Sequence, residues 1–160
     1  MMGWNNSHLH EFEIKGHQLG MVDDMSLEYT PDMKEETKFY LRDFDLVEKD
    51  TFTYSYDFGD SWSHLLYVKE TSNEHLLNPT CTDGKRACPP DDCGGILGYS
   101  NLLDILRDPD HPEYDEYIKW LPKGFNPDHF SQKEVNEELE RFGIWHRKHP
   151  KEKSTPWHQI

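Results

Sequence analysis

The chain has 160 residues and a formal net charge of −14 with its histidines neutral, which fits one domain, or one domain with a tail, and disfavours general binding to phosphate backbones. Hydrophobic residues make up only 34%, yet aromatics reach 13% and the mean hydropathy is −0.94, so a core built from few, large side chains is expected in place of disorder. No apolar run is long enough to span a membrane, no charged-then-apolar leader opens the sequence, and three cysteines are an odd number for a secreted disulfide framework, which points to a cytoplasmic protein.

Residues 8–14 alternate, with His8, His10, Phe12 and Ile14 on one face and Leu9, Glu11 and Glu13 on the other. This predicts a strand with the His/Phe/Ile face inward. Residues 16–20 read as a turn leading into a short apolar patch at 19–22, and the acidic, aperiodic stretch 23–36 reads as a loop. Apolar residues at 39, 41, 44, 46 and 47 fit a short strand or a helical turn equally well. A β-hairpin follows over about 51–69. Phe52, Tyr54 and Tyr56 alternate with small polar residues, residues 57–61 supply turn chemistry with Gly59 free to take positive φ, and a second alternating run covers 62–68. Asp57, Asp60 and His64 gather at one end of it.

Residues 70–95 form a long loop that contains Pro79, Pro89 and Pro90 together with Cys81, Cys88 and Cys93. A loop of that length in a compact domain is usually functional or tied down. Helical spacing then dominates. Ile96, Tyr99, Leu102, Leu103 and Leu106 mark a first helix that Pro109 stops. Tyr114, Tyr117, Ile118 and Leu121 would be the buried stripe of a second helix beginning near Pro112. Ser131-Gln132-Lys133-Glu134 fits a capping box for a third, with Val135, Leu139 and Phe142 inward and Gly143 at its end. Strands before helices predict an α+β domain, an antiparallel sheet including a central β-hairpin with the C-terminal helices packed on one face, over 1–143. Residues 144–160 read as a basic, loosely held tail, with Trp145 and Trp157 able to dock.

Four stretches resemble the plasmid pRiA4b ORF-3-like family. They are Gly3-Trp4 with His8-Leu9-His10-Glu11-Phe12, the hairpin run Tyr54 to His64, the run Cys81 to Gly95, and Asp108-Pro109-Asp110-His111-Pro112-Glu113. They occur in the family's order, and the likeness covers about residues 3–140. The resemblance implies an α+β fold and a mostly prokaryotic protein often encoded near mobile elements. It implies little about activity, because the family is functionally uncharacterised. Some relatives are labelled resolvases, a label these residues do not support. Family members usually carry a strand and a helix upstream of the Gly-Trp pair. Their lack here would leave an exposed edge and favour a homo-oligomer.

Two constellations could carry chemistry. Zinc takes thiolate or imidazole ligands in a tetrahedron, and Cys81, Cys88 and Cys93 would need a fourth ligand, with His64, His8, His10 or His75 able to supply it. Buried free thiols, or a pair that oxidises on isolation, are the plainer alternative. Asp57, Asp60 and His64, with His8 and His10 nearby, could bind a divalent cation or do acid–base chemistry. Equally, the two acids can fix the turn by accepting backbone amides, with His64 a satisfied core histidine. The Gly94-Gly95 pair is a weak anion-site signal. Trp62, Tyr54, Tyr56 and Tyr99 read as core rather than as a base-stacking platform, since no Lys or Arg interleaves them. A Cys–His nucleophile pair lacks anything local to orient it. The expectation is therefore a non-enzymatic module that binds an unknown protein or ligand partner, with zinc as the one cofactor to test. The competing readings are a metal-dependent hydrolase or nucleic-acid-processing enzyme built on the Asp/His cluster, and a DNA-binding accessory factor.

Overall fold

Alternation beginning at His8 becomes a paired strand from His10 onward. The computed structural model describes residues 3–23, 27–28, 30–74 and 76–148. The chain divides into two compact units: Ser7–His75, and a second made of the first six residues with the chain from Leu76 onward.

The first unit is a five-stranded sheet of order β3-β2-β1-β4-β5. β1 (His10–Ile14) is its middle strand and pairs antiparallel with β2 (His17–Gly20) and β4 (Thr51–Tyr56). The expected turn over 16–20 is in fact β2. Ile14 faces His17, so the turn is only Lys15-Gly16, both at positive φ, as a tight two-residue hairpin requires. β3 (Lys34–Glu35) joins β2 in parallel over two residues, which makes the sheet mixed rather than wholly antiparallel. A short 3-10 turn follows at Glu36–Lys38, and the ambiguous stretch from residue 39 contains another at Leu41–Phe44. β4 and β5 (Trp62–Tyr67) form the hairpin over six paired positions.

Ile14, Leu19, Phe44 and Phe52 are the buried centre of this unit, with Phe12, Phe39, Leu46, Leu66 and Val68 packed around them. Phe12, Ile14 and Phe52 come from one face of the sheet, as the alternation requires. Lys15 closes the rim through a 2.6 Å bridge to Asp50, which holds that carboxyl below the usual range with help from the Val47 amide.

The second unit carries α1 (Gly95–Arg107), α2 (Tyr114–Trp120) and α3 (Gln132–Lys148). Leu102, Ile105, Leu121 and Leu139 are its most buried side chains. The stripe expected on α2 is not buried. Only Leu121, just past its end, is, and Ile118 stays exposed. The capping box at α3 is half formed: Ser131 Oγ accepts the Glu134 amide at 3.2 Å, but the Glu134 carboxylate takes His129 Nε2 at 2.8 Å. Gly143 does not stop α3. A Cβ there would collide with the Asn78 side chain, so the glycine serves a close approach instead of a helix end. Arg147, one turn further on, donates to the Leu77 carbonyl at 3.0 Å and to Asn78 Oδ1 at 2.6 Å. The helix thus runs past 143 into the stretch expected as tail; residues 149–160, with Trp157, lie outside the described residues.

Candidate functional site

The hairpin turn begins at Asp57, whose amide donates to the Leu9 carbonyl at 2.9 Å and continues the β1–β4 ladder by one step. Asp57 then bends at φ 55 and Ser61 at φ 56, while Gly59 is not among the positive-φ glycines. The left-handed positions therefore fall to an Asp and a Ser. The Asp can afford this because its own side chain stabilises the turn: Oδ1 accepts the amides of Gly59 at 3.0 Å and Asp60 at 3.2 Å. The Ser61 amide returns to the Asp57 carbonyl at 2.6 Å. Asp57 is 7% exposed, the one buried charged residue among those described.

The other carboxylate oxygen, Oδ2, lies 3.6 Å from His8 Nδ1. The His8 ring meets Tyr56 edge-on, with centroids 5.8 Å apart. Beside it, cross-strand register places Tyr54 opposite both Phe12 and His64, and His10 opposite Tyr56. Tyr54 consequently lies between two imidazoles, with centroids 5.8 Å from His10 and 5.6 Å from His64. His64 Nδ1 donates to the Tyr54 carbonyl at 3.0 Å, which fixes the ring against the sheet. His10 Nε2 reaches both oxygens of Glu36 at 3.0 Å. Burial works against a charged His10, but the Glu36 carboxylate outweighs it and raises the imidazole above its ordinary value. Glu36 is the site residue the sequence did not reveal. It sits 26 positions away in a stretch read as loop, and no local spacing pairs it with His10.

Of the sequence-derived cluster, His8 meets Asp57 directly. His10 and His64 meet through Tyr54, and Asp60 contributes its amide to the turn. The cysteines belong to the other unit. There the loop is tied down at two places. The Cys81 amide donates to Asn136 Oδ1 at 2.7 Å, Asn136 Nδ2 and Gln132 Nε2 return to the Cys81 carbonyl at 2.9 and 3.0 Å, and the Cys81 thiol donates to the Asp83 carbonyl at 3.3 Å. Cys88 instead packs on Gly3: a Cβ on that glycine, at φ 111, would stand 2.6 Å from the Cys88 Cβ. Burial, reinforced by the Asp91 carboxylate, pushes the Cys88 thiol up to about 12. The Tyr99 hydroxyl is raised as well, by burial first. Cys81, Cys88 and Cys93 are not joined by disulfides. Among the described residues, no three Cys, His, Asp or Glu side chains within either unit bring their ligand atoms within 4.8 Å of one another. His75 lies outside the described residues. Burial of the Cys88 thiol works against the thiolate that a Cys–His pair requires.

The fold and these sites define an α+β protein with a mixed sheet followed by helices. The chain belongs to the plasmid pRiA4b ORF-3-like protein family, whose model matches residues 1–134. It is 32% identical over 120 residues to the uncharacterised protein y4hQ of Sinorhizobium fredii, a match over 74% of this chain and 61% of that one. The chain thus spans about 61% of that relative's length. It is also similar to the crystal structure of MM3350, a protein of unknown function from Methanosarcina mazei Go1. The TM-score is 0.68 and the identity 34%, with 83% of this chain and 75% of that one covered. Among the described residues, no helix is long and apolar enough to cross a membrane.

Proposed function

We propose that the chain is a non-enzymatic interaction module that takes a protein or small-molecule partner on the imidazole-and-tyrosine face of its sheet, around His8, His10, Tyr54 and His64. One observation carries this reading. The groups best suited to chemistry are spent on backbone, Asp57 Oδ1 on two turn amides and His64 Nδ1 on the Tyr54 carbonyl. Groups committed in this way hold a surface in shape and have little freedom to follow a reacting atom. The face offers flat rings flanked by imidazoles, which suits an aromatic or anionic ligand group.

The competing reading, a metal-dependent hydrolase, is supported by the 3.6 Å approach of His8 Nδ1 to Asp57 Oδ2, the oxygen the turn leaves over. Assays with p-nitrophenyl acetate and bis-p-nitrophenyl phosphate, with and without Mn²⁺ or Zn²⁺, separate the two. The module reading expects no turnover. Turnover that Asp57→Asn abolishes in a folded protein overturns it. A structural zinc on Cys81, Cys88 and Cys93 is the second element of the proposal and rests on their spacing in the sequence. Elemental analysis of anaerobically purified protein tests it: about one zinc per chain, lost in Cys88→Ser, is expected, and a metal-free protein ends it. A DNA-binding role has against it the −14 charge and the engagement of Arg147 by Leu77 and Asn78.

A further inference from the structure

Asp-Gly and Asn-Gly are the dipeptides at which a main chain rearranges most readily, because glycine has no side chain to keep its amide nitrogen away from the preceding carboxyl carbon. The sequence holds one Asp-Gly, at Asp83-Gly84, and no Asn-Gly. The pair lies between two ties of the cysteine loop, the Cys81 backbone held by Asn136 and the Ala87 amide on the Pro127 carbonyl. The Gly84 amide donates to Oδ1 of Asp83 itself at 2.8 Å. The nitrogen and the carboxyl group it would attack are therefore in contact, and the amide belongs to no strand or helix. The Asp83 side chain is exposed, so water reaches it. The glycine is hard to replace, since a Cβ there would collide with the Phe130 ring. Packing thus keeps beside Asp83 the residue type that leaves it least protected.

We propose that Asp83-Gly84 is a modification site, at which the folded chain converts aspartate to isoaspartate through a succinimide. With the carboxyl group protonated, the Gly84 nitrogen gives up its proton and bonds to Cγ, the Cγ–OH bond breaks, and one water leaves. Nothing is oxidised or reduced. Water then re-enters the ring. Addition at Cγ restores the aspartate. Addition at the main-chain carbonyl carbon of Asp83 breaks that carbon's bond to the Gly84 nitrogen and turns it into a free carboxylate. The chain then runs through the Asp83 side chain and is longer by one methylene. The carbonyl lost is the acceptor of the Cys81 thiol at 3.3 Å. The change therefore falls on a contact that positions this thiol, and it shifts Gly84 against Phe130.

This chemistry does not depend on the ligand face proposed above. Folded protein held at pH 7.4 and 37 °C for four weeks, beside the same chain in 6 M guanidinium chloride, tests it. The readouts are peptide mapping with electron-transfer fragmentation, and labelling by an isoaspartyl methyltransferase with S-adenosylmethionine. The expected result is isoaspartate at residue 83, preceded by a form lighter by one water, accumulating no more than about tenfold slower than in denaturant because the reacting groups are already in contact. Asp83→Glu, whose longer side chain must close a larger ring, should lose the labelled peptide with circular dichroism unchanged. Folded protein unmodified at residue 83 after four weeks overturns the proposal. So does a folded rate more than about tenfold below the denatured one, or a label that persists on this peptide in Asp83→Glu.

Discussion

The hairpin turn and the cysteine loop both display residues able to do chemistry, and they are held in opposite ways. The turn is closed from within. Asp57 reaches amides two and three positions away, and the Ser61 amide returns to the Asp57 carbonyl. The loop is held from outside. Asn136 and Gln132 of α3 grip the Cys81 backbone from more than 50 positions away, the Ala87 amide donates to the Pro127 carbonyl at 3.0 Å, and Gly3 makes room for Cys88. A locally closed turn can form early and keeps its shape when distant contacts fail, whereas a loop of this length must first bear the entropy of closure. Suggestive side chains therefore mean different things in the two places. In the turn an acid explains its own position. In the loop the thiols are positioned by groups that have no chemistry of their own.

The largest test of this contrast is Asp57→Ala. It leaves the amides of the exposed Gly59 and half-buried Asp60 without their acceptor and puts alanine at positive φ, and should cost about 2–3 kcal/mol, read as a lower urea midpoint. Asp57→Asn retains an oxygen for both amides and tolerates positive φ, so it should recover most of that loss. If Asn is as damaging as Ala, the carboxylate charge and not the turn is what matters. Gly143→Ala comes next. The methyl group must displace Asn78, and a loss of about 1–3 kcal/mol is expected from overpacking. A variant that melts like the parent would show that the approach of loop and helix is not close in solution. Asn136→Ala removes both side-chain bonds to the Cys81 backbone, for about 1–2 kcal/mol, and hydrogen exchange should speed up around residues 80–84 while the hairpin turn is untouched.

Two smaller effects sharpen the picture. In the folded protein Cys88 should react with iodoacetamide at pH 8 at least tens of times more slowly than in the unfolded chain, since burial withholds its thiolate. Equal rates would show that the loop opens faster than the reagent reacts. The His10–Glu36 contact predicts a pH dependence whose sign follows from the raised imidazole. A folded value above the unfolded one means the contribution is fully present below about pH 6.5 and is lost as pH rises through the folded value. His10→Gln should remove that component from the midpoint measured between pH 6 and 8, and a pH profile unchanged by the substitution would assign it elsewhere.

Much of this was legible in the residues because it is local. Alternation marked β1, β4 and β5, helical spacing marked α1, and Ser131 marked the start of α3 through its bond to the Glu134 amide. Of the two readings its chemistry allowed, Asp57 has the bonds of the turn-fixing one, through Oδ1 to the Gly59 and Asp60 amides. Where expectation failed, two local preferences competed and a distant partner decided. His17–Gly20 carries turn-type residues yet becomes β2, because Leu19 is drawn into the core with Ile14 and Phe52. Gly143 looks like a helix stop, but α3 continues past it.

By itself the sequence determined the class of the fold, the hairpin and the grouping of Asp57 with its turn, since all of these depend on side-chain period and on bonds spanning a few residues. Only the tertiary structure decided that Glu36 is the partner of His10, that Asn136 holds Cys81, that Arg147 and Gly143 meet Asn78, and that β5 lies at the edge of the sheet. Those pairs lie 26 to 69 positions apart, and the order of strands is a property of the whole sheet. No period or motif encodes either; they are settled by which surfaces can be buried together.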